Sequence, residues 1–216
     1  MTQLTPDIKE RFFKTIYGEI SIGDFEEWLY QSNELEQLLG ADDHFELISY
    51  NFKQPGAIYG LIKLLYKHLD RAEYEVWRLH KLLGQVEYKE GDYPAAITEF
   101  YDLYSKGYTF FDNLAFGYSL FLECPNQYGV DTFEELTLEQ QMNLANSCYP
   151  QILEETKRVK EWLKSDKIIP TGTQDKDYGH FKFIDNRTEE EKEPTTFKRE
   201  EPSQNQLRKK WWQFWK

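Results

Sequence analysis

The chain has 216 residues, 40% of them hydrophobic and 17% aromatic, enough for one ordinary domain with a ring-rich core and short for two. Its net charge of -12 argues against general nucleic-acid binding, because phosphates would be repelled, and suits an encounter with a basic partner. The N-terminus has no apolar stretch of signal-peptide length and no run approaches a transmembrane span, so the expected compartment is the cytoplasm.

The first two-thirds of the chain reads as successive helices. Thr5-Pro6-Asp7 opens the first, with Phe12, Phe13 and Ile16 on its apolar side. Gly23-Asp24 is expected to cap a second, in which Phe25, Trp28 and Leu29 recur at helical spacing. Ser32-Asn33 opens a third that stops at Gly40, and Asp42-Asp43 starts a fourth carrying Phe45, Leu47 and Ile48. Pro55-Gly56 turns into a helix with Leu61 and Leu65, and a long helix from about Tyr74 to Val86 is broken by Gly91-Asp92. Helices from about Tyr93 to Ser105 and Phe110 to Glu123 follow, then a loop from Cys124 to Gly129, a helix from Thr137 and a last one from Pro150 with Ile152, Val159 and Trp162.

The pattern changes after Lys164: Lys167-Ile168-Ile169-Pro170 looks extended and Gly179 to Asp185 alternates with period two. The expected fold is all-α, a multi-helix globular array with a small β-hairpin at about 167–185, together forming one domain over 1–187. From Thr188 to Lys216 the chain is rich in Glu, Lys, Pro, Thr and Gln and is expected to be a disordered linker ending in a Trp-rich tail.

No catalytic constellation emerges: there is no phosphate loop, nucleophile elbow or CxxC, so the protein is not expected to be an enzyme. Cys124 and Cys148 read as two buried thiols. No metal or cofactor is expected, since His44, His68, His80 and His180 contain no His-x-x-x-His pair. Asp42-Asp43-His44 with Glu46 suits a helix start, and Asp175-x-Asp177-x-Gly179 lacks the glycine position and closing Glu of a calcium loop. The stretch Leu83 to Phe100 resembles one tetratricopeptide repeat. A lone repeat cannot bury its own face, so a helix hairpin inside a single core is expected.

Acidic residues cluster at Asp42, Asp43 and Glu46 and again at Asp131, Glu134 and Glu135, and these six are the candidate contacts for a basic protein surface. The tail adds Trp211, Trp212, Phe214 and Trp215 behind Arg208-Lys209-Lys210, a composition that suits weak contact with a membrane surface, a protein groove or the chain's own acidic face.

Several stretches together resemble a family of bacterial proteins encoded beside polymorphic or contact-dependent toxins. They are Phe25-Glu26-Glu27-Trp28-Leu29-Tyr30, Glu46-Leu47-Ile48-Ser49, Phe100-Tyr101-Asp102-Leu103-Tyr104, Gly107-Tyr108, Asp112-Asn113-Leu114, Gly179 to Thr188 and the Trp-rich tail. The resemblance implies an immunity protein that binds and neutralises a cognate protein toxin, and it suggests a basic nuclease as that toxin. The other function the residues suggest is a tetratricopeptide-like adaptor, in which Tyr88, Tyr93, Phe100 and Tyr104 would line an open groove for a peptide or protein partner.

Overall fold

The computed structural model describes residues 4–193, and the architecture is the expected helical array with a hairpin near the C-terminus. The N-terminal half holds α1 (Pro6–Tyr17), α2 (Ile22–Gln31), α3 (Leu35–Leu39), α4 (Ala41–Ile48) and α5 (Ala57–Leu65). Thr5 precedes α1 with Pro6 in the first turn, and Gly18 ends it in the left-handed conformation. The second helix starts two residues earlier than expected: Ser21 is its cap, accepting the Asp24 amide at 3.1 Å, while Gly23 and Asp24 lie inside the helix. Nor do Asp42 and Asp43 cap α4. Gly40 holds that place, and the two carboxylates sit in the first turn, where the helix dipole favours them.

These helices close over Phe12, Phe25, Leu29, Leu35, Leu47, Leu61 and Leu65, all buried. Phe45 is not among them: it faces outward and is 66% exposed. Rings meet edge to face, as Phe12 and Phe25 do at 5.8 Å, the arrangement that ring quadrupoles favour.

The long helix α6 (Arg71–Tyr88) is the hinge of the architecture, because it belongs to both halves. Its first turns give Tyr74 to the N-terminal core, and its later turns give Leu79, Leu82, Leu83 and Val86 to a second core. Asp70 starts it by accepting the Ala72 amide at 2.8 Å. The second core is filled by α7 (Tyr93–Ser105), α10 (Leu138–Asn146) and α11 (Gln151–Lys164), with Ile97, Phe100, Ala145, Ile152 and Trp162 buried. Asp92 caps α7, and Thr137 with Gln140 forms a reciprocal capping box on α10.

The expected single helix from Phe110 to Glu123 is instead a composite rod. A 3-10 turn (Thr109–Phe111) leads into α8 (Asp112–Leu114), a π-helical turn (Ala115–Ser119) and α9 (Leu120–Glu123). Cys124, at its end, is exposed, whereas Cys148 is buried as expected.

Strands β1 (Ile168–Gln174) and β2 (Phe181–Asp185) pair antiparallel, with Ile168 opposite Asp185 and Pro170 opposite Phe183. The register breaks between Pro170 and Gln174. Gly172 lies in that break at φ 66°, and a Cβ there would stand 2.4 Å from the Ala72 nitrogen, so the strand rests on the start of α6 as only glycine allows. On the other side the Phe181 amide donates to the Lys106 carbonyl at 2.7 Å, and its ring stacks on Tyr108 at 4.8 Å. Beyond the hairpin the chain does not lose order at Thr188. Thr188 and Glu191 form a capping box on a further turn, α12 (Glu189–Lys192), and Glu191 pairs with Lys167.

A buried polar chain joins the two halves beneath the hairpin. The Tyr108 hydroxyl donates to Glu75 Oε2 at 2.9 Å, Arg78 donates to the same oxygen at 2.8 Å, and Arg78 also reaches Glu99 at 3.3 Å. Burial raises the Tyr108 phenol well above its ordinary range, with the Glu75 charge adding to it. Burial also raises Glu99, despite the nearby guanidinium of Arg78. Among the described residues, no helix is long and apolar enough to cross a membrane.

Candidate interaction surface

The π-helical turn places an aromatic side chain in solvent. Phe116 is 52% exposed, and Leu120, one turn further along the same rod, is 37% exposed. Phe116 is held upright by rings of α7: Tyr104 meets it edge to face at 4.7 Å and Tyr101 at 6.1 Å. Its position follows from a clip in the backbone. The buried Ser119 hydroxyl donates to the Thr98 carbonyl at 2.6 Å and accepts the Tyr101 amide at 3.1 Å, which fastens the π-turn to α7.

Glu123, at the end of the same rod, has other carboxylates near it. Burial raises the Glu123 carboxyl above its ordinary range, and the charges of Glu134 and Asp102 raise it further. Glu134 and Glu135 are carried on a 3-10 turn whose Phe133 is buried, so the turn is anchored inward and its acids point out. Asp131 is exposed just before it. Among the described residues, none of Glu123, Asp131, Glu134 and Glu135 takes part in a salt bridge; Asp102 alone has one, with Lys106 at 3.3 Å. An exposed apolar ring and, further along the same rod, a carboxylate with acidic neighbours and no salt bridge among the described residues suit a cationic, partly apolar protein surface.

The other predicted acidic cluster is handled differently. Glu46 pairs with Lys67 at 2.6 Å, and Asp43 lies 3.9 Å from the His68 ring. Asp42 is exposed in the first turn of α4. The shallow groove beside them, lined by Leu38, Leu39, Lys67, His68 and Asp70, mixes both signs of charge. Burial lowers the pKa of His68, which makes it a neutral member of that wall at pH 7.

The two acidic clusters are therefore not one surface. Glu134 lies close enough to Glu123 to raise its pKa, while Asp42, Asp43 and Glu46 are carried on α4 in the N-terminal half. Trp211, Trp212, Phe214 and Trp215 lie outside the described residues. Sequence reasoning did not single out Phe116, Leu120 or Glu123, because an aromatic residue at helical spacing reads as core. The groove-lining set of the adaptor reading is dispersed: Tyr93 and Phe100 are in the core, Tyr104 packs on Phe116, and Tyr88 stands outside under Lys160. No group of three or more His, Cys, Asp or Glu residues is arranged to hold a metal ion among the described residues.

No family model, curated protein or solved structure matches the chain.

Proposed function

We propose that this protein works by binding a basic protein through the Phe116 face and that, following the resemblance to immunity proteins, the partner is a toxin whose action it blocks. The observation that carries the reading is the exposed Phe116 ring on the rod that ends in Glu123, a carboxylate with acidic neighbours and no salt bridge among the described residues. A ring of this kind is the sort of anchor that slows release once buried, and unpaired acids steer a basic partner in at rates that fall as salt rises.

The test is co-expression with the product of the neighbouring open reading frame. The wild-type protein protects the cell, and a Phe116→Ser, Glu123→Lys, Glu134→Lys variant with an unchanged helical spectrum and melting temperature does not. A neighbour that is harmless alone, or lethal in the presence of the wild-type protein, removes the toxin assignment. A variant that protects as well as the wild type removes the face.

A further inference from the structure

The same face has a chemically matching occupant in the chain itself. Residues 207–216 hold Arg208, Lys209, Lys210 and Lys216, no acid, and the rings of Trp211, Trp212, Phe214 and Trp215. Their sign is opposite to the -12 of the whole chain. We propose that the segment Leu207–Lys216 docks on the Phe116 face of its own chain, with its indoles against Phe116 and Leu120 and its cations against Glu123 and Glu134.

One contact would cover apolar surface on both sides. An apolar ring in solvent and a run of tryptophans both cost free energy while uncovered, and each supplies the other's missing surface. The carboxylates match as well. Burial, and then the charges of Glu134 and Asp102, make Glu123 hold its proton more tightly than an isolated carboxyl, so a cation brought beside it would favour its charged form. The tether is long. Thirteen residues, 194–206, connect the last described residue to the segment, a span of up to about 45 Å at roughly 3.3–3.6 Å per residue. That is comparable to the width of a body of this size, about 40 Å. A tether of this length presents the segment at an effective concentration on the order of millimolar, so even a weak contact is populated. If the face is also where a basic partner binds, the segment is an internal competitor that the partner has to displace; only this corollary rests on the functional reading above.

The experiment places p-benzoylphenylalanine at Phe116 in the full chain and maps the photo-crosslinks by mass spectrometry in the absence of any partner. Docking gives a crosslink into 207–216 within one chain. That crosslink is lost when Trp211, Trp212, Phe214 and Trp215 are changed to Ser, and it weakens in about 1 M salt, where charges are screened beyond roughly 3 Å. Glu123→Lys with Glu134→Lys abolishes it, and adding Arg208→Glu with Lys210→Glu restores it. Crosslinks outside 207–216, crosslinks indifferent to the Ser changes, or crosslinked dimers overturn the proposal. So does flotation with phosphatidylserine vesicles that depends on the tail and occurs without the intramolecular crosslink, which makes a lipid surface the occupant. Because no partner is present, failure here leaves the toxin reading standing. Failure of toxin protection leaves the crosslink standing. For the corollary, the four-Ser variant binds the partner about tenfold or more tighter than the wild type, and equal affinity overturns it.

Discussion

Two acidic regions of this molecule, one around α4 and α5 in the N-terminal half and one from Glu123 to Glu135 in the C-terminal half, dispose of their charge differently. In the N-terminal half Glu46 meets Lys67, Glu73 meets Lys9 and Glu19 meets Lys81, each within 2.9 Å. In the C-terminal half Glu123, Asp131, Glu134 and Glu135 have no such partners among the described residues. Each half also exposes a phenylalanine, Phe45 in the first and Phe116 in the second. The contrast teaches that the number of acids in a segment does not identify a binding face. What distinguishes one is negative charge that the fold leaves without a counterion, next to an anchor held upright by its neighbours.

The change with the largest expected effect attacks the junction between the halves. Arg78→Leu leaves Glu75 buried beside Tyr108 without its cation, and breaking a buried pair in this way costs about 3–5 kcal/mol. Urea unfolding should show the loss, and hydrogen exchange should rise in both halves together. A loss confined to one half would mean that α6 does not couple them. Gly172→Ala comes next, at about 1–3 kcal/mol, because a Cβ at φ 66° would run into the backbone of Arg71 and Ala72. Exchange should then rise over 168–185 and stay unchanged over 6–48, which would assign the hairpin to the C-terminal half.

Ser119→Ala sharpens the comparison at the face itself. It removes the hydroxyl shared by Thr98 and Tyr101, for about 1–2 kcal/mol by thermal melting. If the clip is what aims Phe116, partner binding weakens by more than the stability loss accounts for. The smallest effects come from neutralising one acid in each half. Glu123 holds its proton more tightly folded than unfolded, so stability is lost as pH rises through its folded pKa, and below its unfolded pKa there is no penalty. Glu123→Gln should therefore stabilise slightly at neutral pH, within about 0.5 kcal/mol, with the gain vanishing as pH falls through that window. Glu46→Gln loses Lys67 and should destabilise, within about 1 kcal/mol. Equal signs for the two would erase the distinction between the two acidic regions.

Much of the fold was legible because local chemistry and tertiary packing agree. Asp92 before Tyr93-Pro94 marks the start of α7, and the bounds Tyr93–Ser105 read from the sequence are the ones found. The alternation from Gly179 to Asp185 similarly identified β2. The rod from Thr109 to Glu123 was not legible in detail, because a π-turn adds a residue to one turn without any residue type announcing it. Phe45 misled for a related reason: it has the spacing of a core residue, but Leu47 supplies the buried side of α4. Of the surface, Glu134 and its neighbours could be named from their charge. Phe116 could not, since its spacing along the rod is that of a core residue, and only the structure shows it resting on Tyr101 and Tyr104 with half its surface open.

The π-turn also fixes the phase of everything after it. One residue in a helix is worth about 100° of rotation, so deleting any single position within Ala115–Ser119 would swing the following segment by more than a quarter turn. Leu122, now wholly buried, would leave the core, and Glu123 would leave the rim. The surface is thus written in the length of the chain as much as in its letters. Among relatives of this protein, a gap of one residue at this place would separate those that keep the face from those that do not, even where every aromatic and every acid is retained.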